Sequence, residues 1–337
     1  MKARARFASI LLLFLTGWQA AAAADDVAPE RTGTGDGKSA ANAAAWFDQQ
    51  AYIHANISVR QEDTTIHFAP GTYIGRKRSG VSTRCMLLDN IGNSKHRLTL
   101  LGAPDRASVF IRDPEDPTDQ VSSLRLDYFF DLYQCRNITL DDLHFTGPGA
   151  LSYAIRIREP HDIALRNCTF INLTGVLYGV TCAMSGGSGV LWENCTFDNV
   201  GVSAYAHCIY NSTNVYDLAV RNCVFRDCYG EYVRFRDNCH RCTVENCLFE
   251  ATGRYTGESF ISCPLYNDED PAVKTDPVYH EYFSQDLAIR NNTFIGRKRS
   301  QDFNQFVLNF LNDGYNPIGK HYLISKSEAS ALTTMPV

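Results

Sequence analysis

Ile163-Ala-Leu-Arg-Asn-Cys-Thr-Phe170 is one of five similar phrases in this chain. The others are Val190-Leu-Trp-Glu-Asn-Cys-Thr-Phe197, Leu218-Ala-Val-Arg-Asn-Cys-Val-Phe225, Cys242-Thr-Val-Glu-Asn-Cys-Leu-Phe249 and Leu287-Ala-Ile-Arg-Asn-Asn-Thr-Phe294, with a weaker copy at Ile138-Thr-Leu-Asp-Asp-Leu-His-Phe145. The central Asn, or Asp142 in the weaker copy, recurs every 24 to 28 residues as far as Asn246. A period of this size predicts a solenoid of stacked repeats.

Each phrase alternates apolar and polar residues, which is typical of a strand with one buried face. The Asn step turns the chain, the Phe begins a second strand, and a third strand, such as 154–158, precedes the phrase. Three short strands and three turns account for one repeat, so the sequence predicts an all-β parallel β-helix. A leucine-rich repeat is the rival solenoid, but no Leu-x-x-Leu-x-Leu pattern is present.

Stacking of coils about 4.8 Å apart would place the repeated Asn residues in one column. We expect these amides to be buried and to hydrogen-bond along the column. The Asn-x-Ser/Thr sequons in it, such as Asn167-Cys-Thr and Asn194-Cys-Thr, are therefore interpreted as structural and not as glycosylation sites.

The chain has 12 cysteines. Cys168, Cys195, Cys223 and Cys247 fall in one column and are expected to act as small buried hydrophobic residues. Cys242, in Cys239-His-Arg-Cys242, is also expected in the core and not in a zinc or redox site. A bridge among Cys228, Cys239 and Cys263 is left open.

Residues 1–24, basic and then apolar, predict a secretory signal peptide. Residues 25–337 then form one β-helix domain, with clear repeats over about 130–295. A polar stretch, 25–39, precedes an amphipathic helix over 40–55 that would cap the open end of the solenoid. The 45-residue interval from Asn246 to Asn291 predicts a large insertion within one coil.

Gly33-Thr-Gly-Asp-Gly-Lys-Ser39, the Ala-rich segment and Phe68-Ala-Pro-Gly-Thr-Tyr73, together with the repeats, resemble the pectate-lyase-like right-handed parallel β-helix superfamily. That resemblance implies a right-handed coil and a groove for a polysaccharide chain. The superfamily includes lyases, glycoside hydrolases, epimerases and esterases, so the fold does not choose the reaction.

A narrower resemblance lies in Ala206-His-Cys-Ile-Tyr-Asn-Ser212 and, one coil later, Gly230-Glu-Tyr-Val-Arg-Phe-Arg236. This pair is similar to bacterial β-helix proteins associated with lyase chemistry. Alginate lyases and chondroitinases of this type carry a Lys base and calcium-binding carboxylates, and the position nearest that Lys is Arg234 or Arg236 here. The calcium-binding Glu pair is not matched.

Alternation places Arg156, Arg158, Arg234 and Arg236 on the outer face of the strand that precedes each phrase, which we expect to be the groove floor. β-Elimination of a uronate requires a neutralised carboxylate, a base and an acid. Arg234 and Arg236 suit the first role because guanidinium binds a carboxylate in a fork. His207 and Tyr210 are the predicted base and acid, in an order that the sequence leaves open. Both face outward only if their strand bulges.

The predicted substrate-binding residues are Arg156, Arg158, Glu231 and Asn211. The plain alternative is that the outward arginines pair with nearby carboxylates. A glycoside hydrolase with paired carboxylates, a uronate epimerase, suggested faintly by Arg158-Glu-Pro-His-Asp162, and a glycan-binding β-helix without catalysis are the other functions considered.

The expected partner is an acidic polysaccharide, met in a periplasm or outside the cell. The formal net charge of −5 gives no indication of nucleic acid binding. No later membrane span is predicted, and a monomer is expected. No cofactor is required, but calcium is possible, for example at the acidic loop 267–270, where a solvated loop is favoured.

Overall fold

The computed structural model describes residues 23–58, 60–76, 84–114, 128–255, 259–263, 284–296 and 306–309. Its strands form three parallel sheets, each strand paired with the equivalent strand of the next coil. This is the predicted parallel β-helix.

Sheet A has ten strands. They are β1 Ala23–Ala28, β2 Ala44–Ala45, β3 Thr64–Phe68, β6 Leu98–Leu101, β9 Arg136–Asp141, β12 His161–Arg166, β15 Ser188–Glu193, β18 Tyr216–Arg221, β21 His240–Glu245 and β24 Gln285–Arg290.

Sheets B and C have eight strands each. Sheet B contains β4 Gly71–Gly75, β7 Ser108–Arg112, β10 His144–Thr146, β13 Thr169–Ile171, β16 Thr196–Val200, β19 Val224–Cys228, β22 Leu248–Ala251 and β25 Thr293–Gly296. Sheet C contains β5 Arg84–Asp89, β8 Tyr128–Tyr133, β11 Leu151–Arg158, β14 Val176–Met184, β17 His207–Asn211, β20 Val233–Phe235, β23 Ser259–Ser262 and β26 Phe306–Asn309.

The repeated phrase forms a sheet A strand, a turn at Asn and a sheet B strand. Its Phe residues stack along the core, with Phe170 and Phe197 4.8 Å apart and Phe197 and Phe225 5.0 Å apart between ring centroids. Apolar side chains from all three sheets fill the space around this column. Each coil therefore buries its core side chains mainly against the coils before and after it.

The repeated Asn residues are exposed, so the prediction that they are buried was wrong. Each has a positive φ, from 53° at Asn167 to 56° at Asn291, and thus lies in the left-handed region. Asn tolerates this backbone conformation better than other side chains with a Cβ. Only one link along the column is seen among the described residues, an Asn194 amide that donates to Asn167 Oδ1 at 3.4 Å. The recurrence of Asn therefore follows from the turn, and burial gives no ground for excluding glycosylation there.

Asn194→Gly and Asn194→Ala should differ in stability although both remove the same amide. Glycine enters the left-handed region freely, whereas alanine is strained there by about 1 kcal/mol. We expect urea denaturation to show a loss of that size for the alanine variant and a smaller one for glycine. Equal losses would mean that the Asn194 side chain, and not its φ of 56°, is what matters.

The N-terminal cap is smaller and later than predicted. Single helical turns span Ala40–Asn42 and Trp46–Asp48, followed by α1 Gln49–Tyr52 and a π-helical turn Ile53–Ile57. Trp46 closes the core, with its ring centroid 5.2 Å from that of Phe110. The predicted polar stretch begins instead inside β1, whose Val27 is fully buried. None of the helices in the described part of the chain has the length and apolar character needed to cross a membrane.

All twelve cysteines are buried and free. The column of Cys168, Cys195, Cys223 and Cys247 and the core position of Cys242 are confirmed. The bridge considered among Cys228, Cys239 and Cys263 is not formed. Burial raises the pKa of several of these thiols, to about 12 for Cys135 and Cys182, so they are protonated at neutral pH.

Candidate functional site

A seam of paired buried residues runs along sheet C. In each of seven coils two consecutive side chains point into the core, where strict alternation would allow one. The pairs are Cys85–Met86, Phe129–Phe130, Ala154–Ile155, Val180–Thr181, Cys208–Ile209, Tyr232–Val233 and Phe260–Ile261. The backbone N–H groups of Cys208 and Ile209 both donate to the carbonyl of Tyr232, at 3.0 and 2.9 Å, as in a β-bulge.

The bulge puts His207 and Tyr210 on the same outer face, which answers the question that the sequence left open. Their rings stack with centroids 5.2 Å apart and planes 11° apart. Tyr210 is paired in register with Arg234 of the next coil. The structure thus brings together His207, Tyr210 and Arg234, three of the four predicted catalytic residues.

Glu231 contacts two side chains of this cluster, His207 and Arg234, and holds them in place. His207 Nδ1 lies 3.2 Å from the Glu231 backbone carbonyl and 3.2 Å from its Oε2. Arg234 Nη1 donates to both carboxylate oxygens, at 3.0 and 2.7 Å. Glu231 is 1% exposed. It therefore acts through its neighbours and presents little surface for the predicted contact with substrate.

His207 is neutral at pH 7. Burial, with a smaller effect of Arg234, lowers the pKa of its imidazole to about 3, and the hydrogen bond to the Glu231 backbone carbonyl acts in the opposite direction. A carbonyl oxygen can only accept a hydrogen bond, so the contact with Glu231 assigns the proton to Nδ1. Nε2 then carries the lone pair.

The depressed pKa of His207 makes stability depend on pH. Below about pH 6.5 the unfolded chain binds a proton that the folded chain excludes until about pH 3, so stability falls as the pH falls through that window. Between pH 7 and 5 we expect wild type to lose about 2 kcal/mol more than His207→Gln, measured as free energies of urea unfolding.

His161→Gln is the matched control, since this half-buried histidine lies in sheet A. Between pH 7 and 5 the control should lose as much stability as wild type does. If His207→Gln lost as much as wild type, the His207 ring would be protonated in the folded protein near neutral pH.

Arg236 lies on the outer face beyond Arg234, because Phe235 between them points inward. Burial alone would lower the pKa of Arg234, but its contacts with Glu231 raise it. Arg234 therefore stays charged, with its side chain 12% exposed.

Arg156 and Arg158 lie on the same face of sheet C but not in the His207 cluster. Both chelate Asp131 with Nε and Nη2, at 2.7 to 3.1 Å, and Arg84 adds a contact of 3.1 Å. Asp131 is fully buried beneath them. Pairing with a carboxylate, the plain alternative for these two arginines, is thus present. Sequence reasoning missed Arg84, because its coil lacks the repeated phrase that gives the register.

Tyrosine rings line the side of this arginine group. Tyr128 and Tyr153 stack at 6.1 Å, and Tyr153 and Tyr178 lie 5.9 Å apart between centroids. Tyr178 is 47% exposed. Gly179 follows in register between Tyr153 and His207, and the side chains of Tyr153 and Tyr210 pack closely over it.

Asn211 does not lie in the groove, so its prediction as a substrate-binding residue is corrected. It is fully buried, in register with Ala183 and Phe235 in the core. The reason is the bulge: it sets Tyr210 outward, so the next residue must point inward.

Among the described residues no three His, Cys, Asp or Glu side chains are arranged to hold a metal ion. The acidic loop 267–270, considered for calcium, lies outside the described residues.

Residues 126–294 match the family described as the right handed beta helix region. The match covers half of the sequence, and the chain belongs to this family. Among curated protein sequences, none matches the chain significantly.

Solved structures share the fold at low sequence identity. An alginate lyase from Paenibacillus sp. strain FPU-7 is 14% identical, with a TM-score of 0.52 over 76% of this chain and 78% of that one. A pectin methylesterase from Erwinia chrysanthemi is 10% identical, with a TM-score of 0.46 over 92% and 95% of the two chains. The family match and the similarity to the alginate lyase structure establish the right-handed β-helix and leave the reaction open.

Proposed function

We propose that the protein is an exported polysaccharide lyase that cleaves an acidic, uronate-containing glycan by β-elimination on the outer face of sheet C. The observation that carries the proposal is the neutral His207 stacked on Tyr210. Arg234, in register with Tyr210 on the next strand, supplies a fixed positive charge beside them.

In the proposed reaction Arg234 and Arg236 hold the uronate carboxylate and so make the C5 proton more acidic. His207 Nε2 takes that proton, and the C5–H electrons form the C4=C5 double bond. The C4–O bond breaks, and the departing oxygen receives the Tyr210 phenol proton. A later exchange with water returns a proton to Tyr210 and removes the one on His207.

The low pKa of His207 is compatible with its role as the base if substrate binding raises that pKa. Arg234 contributes to the depression of that pKa. A uronate carboxylate bound to Arg234 would offset its charge and make Nε2 more basic when the C5 proton is in place. Glu231 would keep the ring in the required tautomer through the Nδ1 contact at 3.2 Å.

Hydrolysis is less well supported on the same face. The buried carboxylates on this face of sheet C are Asp131 and Glu231, and both are bound to guanidinium groups. A hydrolase needs one protonated and one free carboxyl group on either side of the glycosidic bond. The epimerase stays an alternative, because it shares the first proton removal.

Glycan binding without catalysis is the second candidate. The observation that favours it is the tyrosine row ending in the exposed Tyr178, since aromatic rings provide flat apolar faces for sugar rings. Such a protein would bind an acidic chain and release it unchanged.

The decisive experiment incubates the mature protein with alginate, polygalacturonate, hyaluronate and chondroitin sulfate, with calcium or with chelator. Ultraviolet absorbance reports the unsaturated product, and a reducing-end assay reports any cleavage. Absorbance that is absent in His207→Ala would support the lyase. Reducing ends without absorbance would indicate hydrolysis. Binding with neither signal would favour the non-catalytic protein.

A further inference from the structure

Three guanidinium groups converge on one carboxylate at Asp131. Arg84, Arg156 and Arg158 carry three positive charges, and Asp131 carries one negative charge. The four side chains together therefore hold an excess of two positive charges. Ion pairing of Asp131 alone would need one arginine, so the contacts to Asp131 do not account for the presence of both Arg156 and Arg158.

Asp131 fixes the direction in which these arginines point. A guanidinium has five donors in a rigid plane, and Arg156 and Arg158 each use the Nε and Nη2 edge on Asp131. Their Nη1 groups must then point away from the buried carboxylate. Among the described residues no other hydrogen bond of these two side chains is seen, and they are 16% and 21% exposed.

Tyrosine rings hold the same two guanidinium planes. The Arg156 Cζ lies 3.8 Å from the ring centroid of Tyr128, and the Arg158 Cζ lies 4.2 Å from that of Tyr133. Stacking and chelation together restrict both side chains to one geometry. Little further ordering entropy would be lost when an anion binds, which is what a preformed site requires.

The group lies at a defined distance from the proposed catalytic cluster. Arg156, Cys182, Tyr210 and Arg234 are successive partners in the register of sheet C. Three strand spacings of about 4.8 Å separate Arg156 from Arg234 by about 14 Å. Cys182, between them, is small and fully buried, so no bulky side chain interrupts the row at that coil.

We infer that Arg84, Arg156 and Arg158, positioned by Asp131, form a second anion subsite for a carboxylate or sulfate group of the glycan. The inference rests on the proposed function for its substrate class. Since about 14 Å separates the two basic groups, a single sugar cannot occupy both. The substrate is then a chain with at least two acidic groups, and short oligomers bind poorly.

Binding tests this subsite without relying on cleavage. Calorimetric titration would compare dextran, carboxymethyl dextran and dextran sulfate, which share one backbone and differ in their anion. We expect the folded protein to bind one or both anionic polymers, more weakly at high salt, and not neutral dextran. Preference between the two distinguishes a carboxylate from a sulfate.

Arg156→Gln and Arg158→Gln should each raise the Kd for the bound polymer about tenfold, the effect of losing one charge-assisted contact. Each leaves two arginines on Asp131, and circular dichroism would verify folding. Arg241→Gln, an equal charge loss in the exposed Arg241–Asp217 pair of sheet A, should change the Kd little. Equal effects of all three variants, or no binding by wild type, would overturn the subsite.

Chain length separates this inference from the proposed function. The substrates are hexamers and dimers of whichever polymer the protein cleaves. Wild type should cleave the hexamers much faster than the dimers, and Arg158→Gln should raise KM for hexamers alone. Polymer binding that Arg158→Gln weakens, without any unsaturated product, would retain the subsite and reject the lyase. Elimination that is equally fast on dimers and hexamers would retain the lyase and reject the subsite.

Discussion

Arg234→Ala is expected to lower kcat/KM for the cleaved polymer about 100- to 1,000-fold. Arg234 is the charged group that the proposal places on the uronate carboxylate, where negative charge develops as the C5 proton leaves. Loss of one such preorganised donor typically has an effect of this size. The measurement is the initial rate of absorbance at saturating and at low polymer concentration.

Loss of folding would give the same result, because Arg234→Ala leaves the Glu231 carboxylate buried without this partner. Two variants address that problem. Arg234→Lys keeps the charge and loses the fork, and should retain more activity than alanine. Arg234→Ala combined with Glu231→Gln removes both charges and should fold but remain inactive. Arg221→Ala, on the exposed face of sheet A, is the matched control. Full activity in a folded Arg234 variant would contradict the proposal.

Phe197→Ala is expected to destabilise the protein by about 3 to 5 kcal/mol. Phe197 is fully buried and contacts two other rings of the column, at 4.8 Å on one side and 5.0 Å on the other. Removal of such a ring loses its burial and leaves a cavity that rigid strands cannot close. Thermal and urea unfolding would measure the loss.

Hydrogen exchange would show where that damage lies. Because coils contact mainly their neighbours, the protection of backbone amides should fall most in β13, β16 and β19. Ile295→Ala, at a residue 39% exposed, is the control and should change stability by less than about 1 kcal/mol. An equal loss of protection in β3 would show that the solenoid unfolds as one unit.

Sheets A and B could be predicted from the sequence because the repeated phrase marks them directly. Its Asn gives the turn, and its Phe gives the column, as at Asn194 and Phe197. The exposure of Asn could not be predicted in this way. A residue that repeats because of its φ looks the same in sequence as one that repeats because it is buried.

Sheet C was harder to predict from the sequence because no repeated phrase marks its strands. Alternation correctly predicted that Arg156 and Arg234 face outward, since both follow the seam of paired buried residues. Alternation cannot show where a bulge lies, so it could not predict on which face of the sheet the side chains of His207 and Asn211 lie. The convergence of Arg84 on Asp131 is a long-range contact between coils, and it depends on a register that no motif revealed.

The seam has a consequence for how such a chain can lengthen. Seven strands of sheet C carry two adjacent buried residues at the same place, as at Cys208–Ile209 and Tyr232–Val233. A duplicated coil that keeps this pair continues the ladder, and it adds one outward position on either side of the seam. Duplication could therefore extend the surface that meets a polymer by one strand at a time. The new outward residues could then diverge while the core stays the same.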